Sequence, residues 1–224
     1  MPPPAIETVE VAPRAPATHS IIWLHGLGAD GHDFESIAPM FGFEREPAVR
    51  FVFPHAPIRA VTINGGMKMR AWYDIRGMDF DRREDEVGIA DSTRIAEELI
   101  ARENERGIPT ARIVLAGFSQ GGAIALHAGL RHKESLAGIV ALSTYLVRAK
   151  ELELERSPAN LATPVFQAHG TFDPMVTPER GAAARAELAR LKYAVEFHAY
   201  PMAHQVCPQE IDDLAQFFRR VLAV

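Results

Sequence analysis

Apolar residues along the chain fall into short, nearly continuous runs separated by longer stretches with helical spacing. Ser20-Ile21-Ile22-Trp23-Leu24, Val49-Arg50-Phe51-Val52-Phe53, Arg112-Ile113-Val114-Leu115-Ala116, Leu136–Leu142, Pro164–Ala168 and Ala194–Tyr200 are the runs. Short apolar runs of this kind fit strands covered on both faces. Ile6-Glu7-Thr8-Val9-Glu10-Val11 alternates in part and sits among prolines, which predicts an edge strand.

The intervening stretches read as helices. From about Asp33, the residues Phe34, Ile37, Ala38 and Phe41 share one face. From Glu84 to Arg106, Ile89, Thr93, Ala96 and Ile100 form a stripe that Gly107 and Pro109 end. Ala123–Ala128 is rich in helix formers. Thr177-Pro178-Glu179 has the form of a helix start, and the helix it opens runs to about Leu191. Ile211, Leu214, Phe218 and Val221 mark a final helix.

Strands alternating with helices, with no repeat and no break in composition, predict a single α/β domain over residues 1–224. Its sheet is mostly parallel, with helices on both faces. Two stretches stand apart. Residues 1–17 carry Pro2, Pro3, Pro4, Pro13 and Pro16, and residues 54–83 form a long loop with few regular signals. A loop of that length in a compact domain is functional or holds structure of its own. Residues 144–163 read as a polar connection.

Composition narrows the function classes. The chain has 224 residues, 47% hydrophobic and 24% charged, with a net charge of −5. No long basic run is present, which argues against nucleic acid as a partner. A single cysteine, Cys207, excludes an internal disulfide and fits a reducing, cytoplasmic setting. Met1-Pro2-Pro3-Pro4 lacks the character of a signal peptide, and no apolar run approaches the ~20 residues of a membrane helix.

The chemistry gathers in loops that follow strands. Gly117-Phe118-Ser119-Gln120-Gly121-Gly122 lies between an apolar strand and a helix, as in a G-x-S-x-G nucleophile elbow. The tight turn needs a strained backbone at Ser119. Gly117 and Gly121 let strand and helix approach. Asp173 follows the strand ending near Ala168, and His204 follows the strand ending at Tyr200. In open α/β sheets the working residues lie beyond the carboxyl ends of the strands. The order Ser119, Asp173, His204 is that of the α/β-hydrolase triad. Serine needs a base to become a nucleophile. Histidine takes and returns that proton near neutral pH, and aspartate fixes the imidazole tautomer. Each has a plainer reading alone: Asp173 precedes Pro174 and fits a turn, and His204 is one of nine histidines. An oxyanion hole needs two backbone N–H donors. Gln120, next after the serine, supplies one. Leu27, in the glycine-rich loop His25-Gly26-Leu27-Gly28, is the best candidate for the other, with His25 shaping that loop.

Here the chain resembles the carboxylesterase and acyl-protein thioesterase group of α/β-hydrolases, the phospholipase/carboxylesterase family. The matching stretches are Trp23–Gly31, Arg70-Ala71-Trp72-Tyr73-Asp74, Gly117–Ala123, His169-Gly170-Thr171-Phe172-Asp173-Pro174 and Tyr200-Pro201-Met202-Ala203-His204. The resemblance implies an α/β-hydrolase fold, Ser119, Asp173 and His204 as triad, and Leu27 and Gln120 as oxyanion donors. It implies hydrolysis of short- to medium-chain acyl esters through an acyl-enzyme. Thioesters or lysophospholipids are alternatives with the same machinery. It implies no metal or organic cofactor, and often a homodimer. Ala203 departs from the glycine that relatives commonly carry before the histidine, and both residues are small.

Two rival readings are weaker. A hydrolase-like binding module would normally lack a triad member. A thiol or metal site at Cys207 lacks an elbow, and the histidines show no paired metal-ligand spacing. Residues 61–78 are expected to lie over the active-site edge, with Met69 and Trp72 against the substrate, joined by Met67, Ile75 and Met78. These residues are apolar yet follow no helical or strand period, and methionine suits a pocket for varied chains. The alternative is that they pack inward to hold the loop down, Trp72 foremost.

Overall fold

The computed structural model describes residues 6–43, 47–77 and 84–222. Among these residues nine strands run in chain order: β1 Thr8–Val11, β2 His19–Leu24, β3 Val49–Pro54, β4 Ile58–Val61, β5 Met67–Arg70, β6 Ile113–Phe118, β7 Gly138–Leu142, β8 Val165–Gly170 and β9 Val195–Tyr200. The helices are α1 Glu86–Glu105, α2 Gln120–Arg131, a single turn α3 Leu152–Glu155, α4 Pro178–Arg190 and α5 Pro208–Val221.

Seven strands form one sheet in the order β1-β3-β2-β6-β7-β8-β9. Only β1 runs antiparallel to its neighbour, pairing with β3 at the edge. Every residue of β2, β6, β7 and β8 is buried, as their unbroken apolar runs require. Alternate side chains of these strands enter two cores. Ile22, Leu24, Leu115 and Ile139 pack with residues of α1 and α2 on one face. Ile21, Trp23, Val114 and Phe166 pack with Phe41 and with Leu214, Phe217 and Phe218 of α5 on the other. An ion-pair network fixes α1 to the sheet edge. Glu103, fully buried, pairs with Arg50 of β3 and with Arg106, which also meets Glu10 of β1.

Three sequence expectations change. The stretch from Asp33 forms a 3₁₀-helix over Glu35–Phe41 rather than an α-helix. Pro39 lies inside it and has no N–H for an α-helical bond. Residues 144–163 contain α3 and a short 3₁₀ turn at Pro158–Asn160. The 54–83 stretch holds a separate antiparallel hairpin, β4–β5, with Ile58 opposite Arg70 and Val61 opposite Met67. Asp74 pins its turn by accepting the N–H and hydroxyl of Thr62, both at 2.7 Å.

Chain order places the site. From β2 the strands proceed outward to β3, whereas β6 lies on the other side of β2, in register Leu24 to Gly117. The loops after β2 and β6 therefore emerge side by side at the switch in strand order, where α/β sheets leave a crevice.

Candidate active site

Ser119 sits between β6 and α2 with φ 54° and ψ −120°. L-residues rarely adopt that conformation, and the contacts around it leave little choice. Ser119 N–H donates to Leu142 O at 2.8 Å, and its carbonyl accepts the Thr144 hydroxyl at 2.6 Å. The flanking glycines are compulsory. A Cβ on Gly121 would lie 2.2 Å from the Leu24 carbonyl oxygen, and one on Gly117 would lie 2.4 Å from the Gly121 backbone.

The structure brings Ser119, His204 and Asp173 together from three separate loops. Ser119 Oγ lies 2.9 Å from His204 Nε2, and His204 Nδ1 lies 2.7 Å from Asp173 Oδ2. The Phe118 ring packs on the imidazole at 4.8 Å between centroids. Asp173 is buried, and its other oxygen, Oδ1, accepts the N–H groups of Met175 and Val176, each at 2.9 Å. The carboxylate is thus held by two backbone donors while its free edge faces the imidazole. A serine hydroxyl bonded to such an imidazole is arranged to lose its proton in attack on a carbonyl.

Leu27 follows β2 and Gln120 opens α2, and both line the same cavity as Ser119 and His204. Among the described residues, neither the Leu27 N–H nor the Gln120 N–H donates to an acceptor. The Gln120 side chain is occupied elsewhere: Oε1 accepts the Trp72 N–H at 2.8 Å, and Nε2 donates to Tyr73 O at 2.7 Å.

The cavity measures about 450 Å³, and its apolar walls include Ile63, Met69, Ile75, Met175 and Val176. Met69 and Ile75 of the 61–78 segment line it. Met67 turns outward and is 64% exposed. Trp72 corrects its expectation as a substrate contact. It is fully buried, does not line the cavity, and donates its indole N–H to His25 O at 2.8 Å. Met78 lies outside the described residues. Sequence reasoning missed Tyr145, Met175 and Val176. Met175 and Val176 follow directly on Asp173-Pro174, and the turn at Asp173 sets them on the cavity wall. Tyr145 sits in the stretch read as connective, where its hydroxyl meets that of Tyr73 at 2.8 Å.

Among the described residues, no group of three or more His, Cys, Asp or Glu side chains could hold a metal ion. No described helix is long and apolar enough to cross a membrane.

Comparison with known proteins decides the family. The phospholipase/carboxylesterase family model matches residues 5–222. The chain belongs to the phospholipase/carboxylesterase family. Membership makes it a carboxylic ester hydrolase of the α/β type, in accord with the mostly parallel sheet. Within the family, it is 44% identical to acyl-protein thioesterase 1 of Neurospora crassa over 209 residues, covering 89% of this chain and 85% of that one. It is 41% identical to acyl-protein thioesterase 1 of Mycosarcoma maydis, covering 97% and 98%. The crystal structure of Zea mays acyl-protein thioesterase 2 superposes with a TM-score of 0.85 at 26% identity, covering 98% of this chain and 100% of that one.

Proposed function

We propose that the protein hydrolyses acyl esters and thioesters through an acyl-enzyme formed on Ser119. The observation that carries this reading is the unbroken hydrogen-bond path from Ser119 Oγ through His204 to Asp173, opening on an apolar cavity. Ser119 Oγ attacks the carbonyl carbon while His204 Nε2 takes its proton. Asp173 holds the imidazole with Nδ1–H and stabilises the imidazolium. The carbonyl oxygen becomes an oxyanion that accepts the N–H groups of Leu27 and Gln120. Gln120 stands at the N-terminus of α2, where negative charge is favoured. Collapse breaks the bond to the leaving alcohol or thiol, which takes the proton from Nε2. Water then repeats the sequence against the acyl-enzyme and releases the acid.

The names of the curated relatives favour a thioester on a protein as the natural substrate. A broad apolar cavity beside the serine suits a lipid acyl chain. A single cysteine, Cys207, accords with a cytoplasmic setting.

The test is kcat/KM for matched esters and thioesters over a range of acyl lengths, for the wild type and Ser119→Ala. Turnover of both linkages that vanishes in the variant is expected. Wild-type turnover in Ser119→Ala would overturn the mechanism.

A further inference from the structure

The loop after β2 carries a histidine that no step above uses. His25 is buried beside β2. Its Nε2 lies 3.0 Å from the Ala56 backbone nitrogen, and only an unprotonated ring nitrogen accepts from that N–H. In the neutral ring the proton then sits on Nδ1, which donates to the Gly26 carbonyl at 2.7 Å. Ala29 N–H shares the same carbonyl at 3.3 Å.

This contact has a geometric consequence. The C=O and N–H of a trans peptide point in opposite directions. With the Gly26 carbonyl held against the His25 ring, the Leu27 N–H is turned away from that ring. Gly26 itself rests against the serine: a Cβ there would lie 3.6 Å from Ser119 Cβ and 3.3 Å from the Phe118 ring.

We propose that His25 is a positioning residue, whose Nδ1–H tautomer, fixed by Ala56, holds the Gly26–Leu27 peptide so that the Leu27 N–H faces the oxyanion. The inference rests on the reading of Leu27 as an oxyanion donor.

The surroundings keep the ring in place. Trp72 packs against it at 5.3 Å between centroids and donates its indole N–H to the His25 carbonyl. The same Trp72 is tied through its backbone N–H to Gln120, the residue of the second donor. Ala56 is held in turn, because its carbonyl accepts Arg70 Nη1 at 2.9 Å, and Arg70 O accepts the Gly28 N–H at 2.9 Å. The brace thus closes between the hairpin and the oxyanion loop. Burial lowers the His25 pKa to about 4; His55 and Arg70 act in the same sense, and the Gly26 carbonyl and Asp30 oppose them. The ring therefore stays neutral throughout the neutral pH range.

Two substitutions separate the two ring nitrogens. In His25→Asn the amide nitrogen can take the place of Nδ1 and keep the bond to Gly26, whereas the Ala56 bond is lost. In His25→Gln the amide oxygen can take the place of Nε2 and keep the Ala56 bond, whereas the Gly26 bond is lost. Each variant forfeits one buried hydrogen bond, so a merely structural role lowers melting temperature and activity alike in both. The proposal expects kcat on a p-nitrophenyl ester to fall about 10²-fold in His25→Gln with KM little changed, the scale of a lost oxyanion donor. It expects His25→Asn to stay within about tenfold of wild type. Equal kcat losses in the two variants, or a change in KM alone, would overturn it. Should either variant fail to fold, two-bond ¹H–¹⁵N correlation spectra of the wild type read the tautomer directly. The Nδ1–H form is expected, and an Nε2–H form contradicts the proposal. Fluorophosphonate labelling of wild-type Ser119 keeps the two readings apart: labelling with the wrong tautomer sinks only the role of His25, and no labelling sinks the hydrolase mechanism.

Discussion

The side chain of Gln120 grips the backbone of Trp72, accepting its N–H at 2.8 Å, and donates to the carbonyl of Tyr73 at 2.7 Å. Gln120, which opens α2 beside Ser119, therefore also fixes the segment that follows β5. Gln120→Met keeps the length of the side chain and strands two buried backbone groups, the Trp72 N–H and the Tyr73 carbonyl. Each stranded group costs about 1–3 kcal/mol. Urea unfolding is expected to show a loss of that order, with kcat reduced because the start of α2 and the hairpin are no longer tied. A variant with wild-type stability would show that water or local movement satisfies both groups.

Asp173→Asn is expected to fold and to lose about 10³–10⁴ in kcat. The amide oxygen can still accept the Met175 and Val176 N–H groups that now hold Oδ1. The amide nitrogen then faces His204 Nδ1 as a donor, which forces the proton onto Nε2 and removes the base. The measurement is kcat alongside the melting temperature. Near-normal turnover would assign the role to another acid.

The apolar cavity makes a prediction about chain length. Met69 lies on its wall, braced by Asn64 Nδ2 against its sulfur at 3.3 Å. Each methylene buried there contributes about 0.8 kcal/mol until the cavity is full. Over a series of p-nitrophenyl esters, Met69→Ala is expected to flatten the rise of kcat/KM with acyl length and to leave the acetate nearly unchanged. Met67→Ala, whose side chain points to solvent, is expected to match the wild type. Parallel profiles for Met69→Ala and wild type would remove Met69 from the acyl site.

Glu210 gives the stability a pH dependence. Its carboxyl is fully buried in the first turn of α5, and neither oxygen finds a hydrogen-bond partner among the described residues. Burial raises its pKa to about 8, the Asp213 charge adds to the rise, and the nearby Cys207 N–H offsets it in part. The folded state therefore holds a proton that the unfolded chain, with a pKa of about 4.3, has lost. Folding stability must fall as pH rises between those values, by up to about 1.4 kcal/mol per unit. His25 and His127, lowered to about 4 and about 3 by burial, slope the other way, because their contribution is lost as pH falls below about 6.5. Between pH 6.5 and 8 the comparison with Glu210→Gln isolates the carboxyl, because the histidines titrate alike in both proteins. Glu210→Gln is expected to gain about 1.5 kcal/mol relative to wild type across that window, read by urea unfolding at the two pH values. An unchanged difference between the proteins contradicts the assignment.

Much of the fold is legible in the sequence because burial on both faces writes itself as unbroken apolar runs. β2, β6, β7 and β8 are such strands, and the loops that follow β6, β8 and β9 carry Ser119, Asp173 and His204. The hairpin is not legible, since it packs no regular face against the sheet. In β4 the exposed positions, Ile58 and Ala60, are apolar like the buried Val61, and in β5 Met67 and Lys68 are both exposed, so no apolar–polar alternation marks the strands. Trp72 misleads for a related reason. An aromatic residue near a substrate site can serve it from behind, and its two hydrogen bonds to His25 and Gln120 depend on backbone positions that only the fold supplies. Met175 and Val176 escape notice because their place on the cavity wall follows from the turn that Asp173 itself builds.

The most direct measurement is labelling of the native protein with a fluorophosphonate, followed by peptide mapping of the adduct. A single adduct on Ser119 is expected, formed rapidly in the wild type, strongly slowed in His204→Ala and absent in Ser119→Ala. An adduct on another residue, or none on the folded wild-type protein, would contradict a serine mechanism at this site.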